Sequence, residues 1–131
     1  MQTDEQTIRD VLPVGAMLPG DAGYDAARIS FNGTLDRRPA AIVSCASTED
    51  VVAAVRAARA AGLPIAIRGG GHSVAGHSLP DDALVVSLDR MRGVEVDPEG
   101  RIATAGGGAL WEDVDRAAFV HGLAVPGGTF G

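Results

Sequence analysis

The stretch that most constrains this fold runs from Pro39 to Ser73, where two short apolar runs flank a helix-patterned segment and end in three glycines. Ala40 to Ser44 is a strand candidate. Ser47 stands at an N-cap position, with Glu49 and Asp50 in the first turn, where carboxylates complement the helix dipole. Val51, Val52, Val55, Ala58 and Leu63 follow near helical spacing, with Arg56 and Arg59 turned outward. Gly62 is a C′ residue and Pro64 prevents continuation. Ile65 to Ile67 is a second strand, so the unit is strand–helix–strand, which predicts a parallel crossover.

The second strand empties into Arg68-Gly69-Gly70-Gly71-His72-Ser73-Val74-Ala75-Gly76-His77-Ser78. Glycine is costly to order, so such a run marks backbone that adopts positive φ or lies against a ligand. Successive N–H groups in a turn of this kind form a concave anion site, with Arg68 as a fixed charge beside it. The reading is a loop that grips a phosphate-bearing cofactor, with His72 at its reactive end. A loose surface loop is the bland alternative.

Known phosphate and nucleophile patterns do not fit. From Gly69, the third glycine of G-x-G-x-x-G would fall on Val74, and no helix is expected after the loop. Gly106-Gly107-Gly108 does join a strand to a helix, but Trp111 takes the third glycine's place. Gly71-His72-Ser73-Val74-Ala75 is one residue from the G-x-S-x-G elbow, which makes an α/β-hydrolase with Ser73 as nucleophile the competing enzyme reading. Gly76 and Pro80 interrupt the helix that an elbow needs. His72 and His77 lie five apart on an irregular loop, a spacing that matches no zinc pattern, and no metal is expected.

Length and charge narrow the class. The 131 residues suffice for one domain, and a net charge of −6 argues against a nucleic-acid surface. The chain has no lysine, which excludes a Walker lysine and any Schiff base. Cys45, the one cysteine, follows an apolar run and reads as a buried small hydrophobe. No signal-peptide core or membrane-length run is visible, so a soluble, cytoplasmic protein without membrane partners is the expectation.

Elsewhere, residues 4–12 predict a helix ended by Pro13, and Tyr24 to Arg28 a helical turn. Phe31 to Arg38 has no clear period. Ala83 to Leu88 is a third strand. Val94 to Asp97 and Arg101 to Ala105 form a hairpin, and a second helix runs from about Leu110 to His121, stopped by Gly122. Trp111 and Phe119 are expected in the core, and Asp81, Asp82 and Asp113 as solvated charges. The fold class is α+β, or mixed α/β: a strand–helix–strand unit, then antiparallel strands and a helix.

Taken in order, Arg38-Pro39-Ala40-Ala41-Ile42-Val43, Glu49-Asp50-Val51 and Leu63 to Ser73 resemble the FAD-linked oxidases. Leu88-Asp89-Arg90-Met91, Val94 to Asp97, Gly107 to Val114 and His121 to Gly128 continue the match. The resemblance, over residues 24–131, is to the berberine bridge enzyme-like branch of the vanillyl-alcohol oxidase/p-cresol methylhydroxylase (PCMH) superfamily. It implies a lead-in over 1–35 and, over 36–131, the N-terminal part of a PCMH-type FAD-binding domain, truncated at its C-terminus. It implies FAD contacts at Arg68, Gly69, Gly70, Gly71, His72, Ser73, Gly76, His77, Gly127, Gly128 and Thr129, with His72 bonded covalently to the flavin. Val125 stands where some relatives carry a second attachment cysteine. The implied activity is oxidation of an alcohol, amine or sugar C–H in a small molecule, with dioxygen or another acceptor. No substrate base is assignable in this chain, so it is expected to be a fragment with little activity alone. An inert remnant that binds no flavin is the non-enzymatic alternative.

Overall fold

The computed structural model describes residues 5–128, with side chains from Ile8 onward. The elements are α1 (Glu5–Val11), α2 (Tyr24–Ala27), β1 (Ala41–Ser44), α3 (Thr48–Ala61), β2 (Ile65–Arg68), β3 (Leu84–Ser87), β4 (Val94–Asp97), β5 (Ile102–Ala105) and α4 (Trp111–Phe119).

The crossover forms as the sequence predicts. Asp50 N–H donates to Ser47 Oγ (3.2 Å), and the Asp50 carboxylate accepts the N–H groups of Ala46 (2.9 Å) and Ser47 (3.2 Å). This reciprocal cap fixes where α3 starts. Gly62, at φ 66°, ends it. The face of α3 that enters the core carries Ala54, Ala57 and Ala58, whereas Val52, expected there, is exposed. Alanine lets the helix lie close to the sheet, so the small residues take the inner stripe.

β1 and β2 do not touch. The sheet order is β1-β3-β2, and β3 pairs in parallel with both neighbours. The third strand therefore belongs to the crossover sheet, and the antiparallel part is confined to β4 and β5, paired from Val94↔Ala105 to Asp97↔Ile102. Both faces of the central strand β3 are covered, as a parallel sheet requires, whereas Ile65 and Ile67 of β2 stay exposed. Ala41, Val43, Leu84 and Val86 meet Ala54 and Ala58 of α3, Ile8 of α1 and Leu18. Cys45 lies fully buried in this cluster, where burial pushes its thiol pKa up. On the other face Ile42, Val85 and Ala66 meet Tyr24 and Leu79.

The lead-in is part of this packing. Met17 and Ile42 exchange backbone hydrogen bonds of 2.9 Å, which covers the free edge of β1. Tyr24 is buried and its hydroxyl donates to the Pro39 carbonyl (2.7 Å).

In α4, Val114 and Ala118 are buried, but Phe119 is 82 % exposed rather than in the core. Asp113 and Asp81 are not free solvated charges. The Asp113 carboxylate accepts two 2.8 Å bonds from Arg92 and one from Leu110 N–H (2.9 Å), which together hold its pKa below the usual carboxylate range. Asp81 accepts from Arg38 N–H (2.7 Å) and from Arg37 (2.8 Å). Among the described residues, no helix is long and apolar enough to cross a membrane.

Candidate functional site

The end of β2 delivers Arg68 to the rim of an open cleft of about 490 Å³. Arg68 to His72 form one wall. Ala26, Ala27 and Ile29 to Phe31 of the lead-in line it with Asp89, Arg92, Gly108 and Leu110. That volume lies in the range of small-molecule sites.

Its floor is made where the two glycine runs meet. A Cβ placed on Gly69 would lie 2.9 Å from the Gly107 carbonyl oxygen. A Cβ on Gly108 would fall 1.6 Å from the Leu88 carbonyl oxygen, and one on Gly106 2.2 Å from that of Met91. Gly106 and Gly108 are therefore needed for one backbone to lie on another. Hydrogen bonds from Leu88 N–H to Arg68 O (2.9 Å) and from Gly108 N–H to Met91 O (3.1 Å) lock the turns together.

Arg68 has a structural role that its sequence position does not show. Its guanidinium donates to the Ala27 carbonyl and, from Nε (3.4 Å) and Nη2 (3.2 Å), to the Ser87 hydroxyl, which is fully buried. Burial pushes its pKa down, and the nearby Asp89 carboxylate opposes that. Among the described residues no carboxylate lies within ion-pair distance of Arg68, whereas Arg92 is matched by Asp113 and Glu112. Arg68 thus brings to the cleft a half-buried positive charge with no direct ion pair among the described residues, a feature suited to an anionic group, although Asp89 also lines the cleft. Replacing Arg68 by Met should destabilise the chain by about 2 kcal/mol, because the charged donors of two acceptors are lost. A denaturant midpoint checks this. Lysine should not restore it, since one ammonium cannot span both acceptors as the fork does.

His72 is exposed on the cleft wall. Its ring lies edge-on to Phe31, with centroids 5.2 Å apart and planes at 67°. Gly70 leaves the space beside it, as a Cβ there would sit 3.4 Å from His72 Cε1. Gly71 takes φ 76°.

The remaining residues predicted from sequence lie elsewhere. Ser73 Oγ accepts the His77 N–H (3.0 Å), and the chain passes into turns rather than a helix, so the nucleophile elbow lacks its context. Gly76 is buried at φ 80°, and a Cβ there would meet Leu35 Cδ1 at 2.8 Å. It fits the lead-in against the loop and does not line the cleft, and neither does His77. Gly127 and Gly128 rest on the Trp111 indole, where a Cβ would come within 2.7 and 3.1 Å of ring atoms. Thr129 lies outside the described residues. Sequence reasoning missed Phe31, Ile29, Asp89 and Arg92. For Phe31 a signal existed: an aromatic beside Asn32-Gly33, in a chain with only five aromatic residues, has few reasons to sit in a turn.

Comparison with known proteins points the same way. The family described as FAD binding domain matches residues 39–130. The FAD-linked oxidoreductase hasG of Aspergillus fumigatus is 39 % identical over 113 residues, which cover 86 % of this chain and 24 % of that protein. The crystal structure of 6-hydroxy-D-nicotine oxidase from Arthrobacter nicotinovorans superposes with a TM-score of 0.78 at 33 % identity, covering 85 % of this chain and 24 % of that one. The berberine bridge enzyme-like protein 1 of Physcomitrella patens gives 0.74 at 29 %, covering 89 % and 26 %. The chain spans about a quarter of the length of these relatives.

Proposed function

The chain belongs to the FAD binding domain family, and on that premise we propose that the cleft walled by Arg68 to His72 holds part of an FAD, with His72 as its covalent attachment point. The observation that carries this reading is the meeting of the two glycine turns. They remove side chains from a strip of floor, beside the Arg68 guanidinium on one side and an exposed imidazole on the other.

The residues suit such a ligand. Gly69 to Gly71 leave main chain as the surface against which a pyrophosphate can lie, and the Arg68 charge favours it without titrating near neutrality. Ile29 and Phe31 offer an apolar wall to a flat ring. His72 would hold the flavin through an imidazole nitrogen on the 8α-carbon of the isoalloxazine, a C–N bond in place of a C–H, with the proton released and the two electrons taken by an acceptor such as dioxygen. When bound, the flavin supplies hydride-accepting chemistry, and the chain's share is binding, orientation and exclusion of water.

For the whole protein we propose oxidation of an alcohol, amine or sugar C–H in a small molecule, with dioxygen or another acceptor taking the electrons. Residues 36–131 would then be part of a PCMH-type domain, with 1–35 as lead-in. No substrate base is assigned here, so this chain alone is expected to turn over little.

Amide chemical-shift mapping on adding FAD tests the site. Residues 29–31, 69–72 and 108–110 should move together. A second, largely apolar cleft lies at the end of α4, lined by Asp115, Arg116, Phe119, Val120, Leu123 and Ala124. Shifts confined to that cleft, or none at all, would refute the reading, and none at all is what an inert remnant gives.

A further inference from the structure

We propose that Phe31 is a positioning residue for His72, holding its imidazole toward the cleft. His72 follows three glycines, so its three preceding neighbours carry no side chains. Phe31 comes from a distant part of the chain and meets the imidazole edge-on, at the 5.2 Å separation and steep angle that aromatic pairs prefer. It is 52 % exposed, so core packing does not account for its place.

Its backbone, however, is strapped to the same loop on both sides. Upstream, the Ala27 carbonyl accepts from Arg68. Downstream, Asn32 Nδ2 donates to the Val74 carbonyl (3.0 Å). Asn32 Oδ1 also accepts from the N–H (3.1 Å) and hydroxyl (2.7 Å) of Thr34, which holds the turn, and Leu35 packs where Gly76 leaves room. The segment 27–32 therefore spans the His72 loop from Arg68 to Val74, and Phe31 is the aromatic ring this strap places on the imidazole.

The inference rests on reading His72 as the attachment point, and two measurements separate the failure of each. The first is the NMR spectrum of the flavin-free chain, which has only three histidines, so His72→Gln assigns the His72 signals. The second is the rate of covalent flavin incorporation. In Phe31→Leu, which keeps bulk without a ring, the His72 ring resonances should move toward free-histidine positions while those of His77 and His121 stay. Incorporation should slow roughly two- to tenfold, the population change that one ring–ring contact supports. Phe31→Tyr should restore both, and an unchanged melting temperature shows that neither effect is unfolding. His72 resonances or a rate indifferent to the leucine would overturn the role of Phe31. A wild-type chain that takes up no covalent flavin defeats the attachment reading instead, and the His72 resonances then decide the Phe31 contact alone.

Discussion

Gly108→Ala is expected to lower the melting temperature by roughly 10 °C, corresponding to about 3 kcal/mol in a chain of this size. The added methyl would occupy a point 1.6 Å from the Leu88 carbonyl oxygen, 2.5 Å from its carbon and 3.1 Å from Asp89 N. All three are backbone atoms, so no rotamer change relieves the overlap and the two turns must part. Leu88 N–H is bonded to Arg68 O, so the strain passes into the cleft wall and FAD affinity should fall with stability. Gly33→Ala is the matched control. Nothing lies within 4 Å of its Cβ position and its φ is not positive, so it should melt within about 2 °C of the parent. Equal melting of Gly108→Ala and Gly33→Ala would mean that the glycine turns do not pack as described.

This close packing also explains why so much of the fold was legible and the site only partly so. The crossover announces itself through local chemistry: a Ser47 cap answered by Asp50, a left-handed Gly62 and then Pro64. The hairpin of β4 and β5 and the Gly122 stop of α4, at φ 68°, are local in the same way. Strand order is not. Nothing in Leu84 to Ser87 states that this strand separates β1 from β2, because parallel pairing over long separations leaves only an apolar run that serves any central strand. Alanine is a weak mark of burial, so the sequence pattern points to Val51, Val52, Val55, Ala58 and Leu63 and passes over Ala54 and Ala57. Asp113 resembled an ordinary first-turn acid, since its partner Arg92 stands 21 residues earlier.

At the cleft the division is the same. The glycines and His72 are adjacent in sequence and were found together, but the opposite wall comes from residues 26–31, about 40 positions upstream. Beyond α2, which ends at Ala27, tertiary ties rather than regular secondary structure hold that segment in place. Arg68 shows how a correct location can carry an incomplete role. Placed beside the anion site from sequence, it is also the strut between the lead-in and buried Ser87.

His72→Ala is expected to abolish covalent flavin while leaving the fold intact, because the imidazole is exposed on the cleft wall. No other residue should substitute for it. Cys45 is fully buried with its thiol pKa raised, and His77 does not line the cleft. Its loss should also weaken reversible FAD binding only modestly, since the glycine floor and the Arg68 charge remain. The direct measurement is flavin fluorescence on the polypeptide after incubation with FAD, denaturation and separation from free cofactor. The account predicts fluorescence on the parent and on His77→Ala, and none on His72→Ala. Flavin that separates wholly from the parent chain, or that stays with His72→Ala, would contradict it.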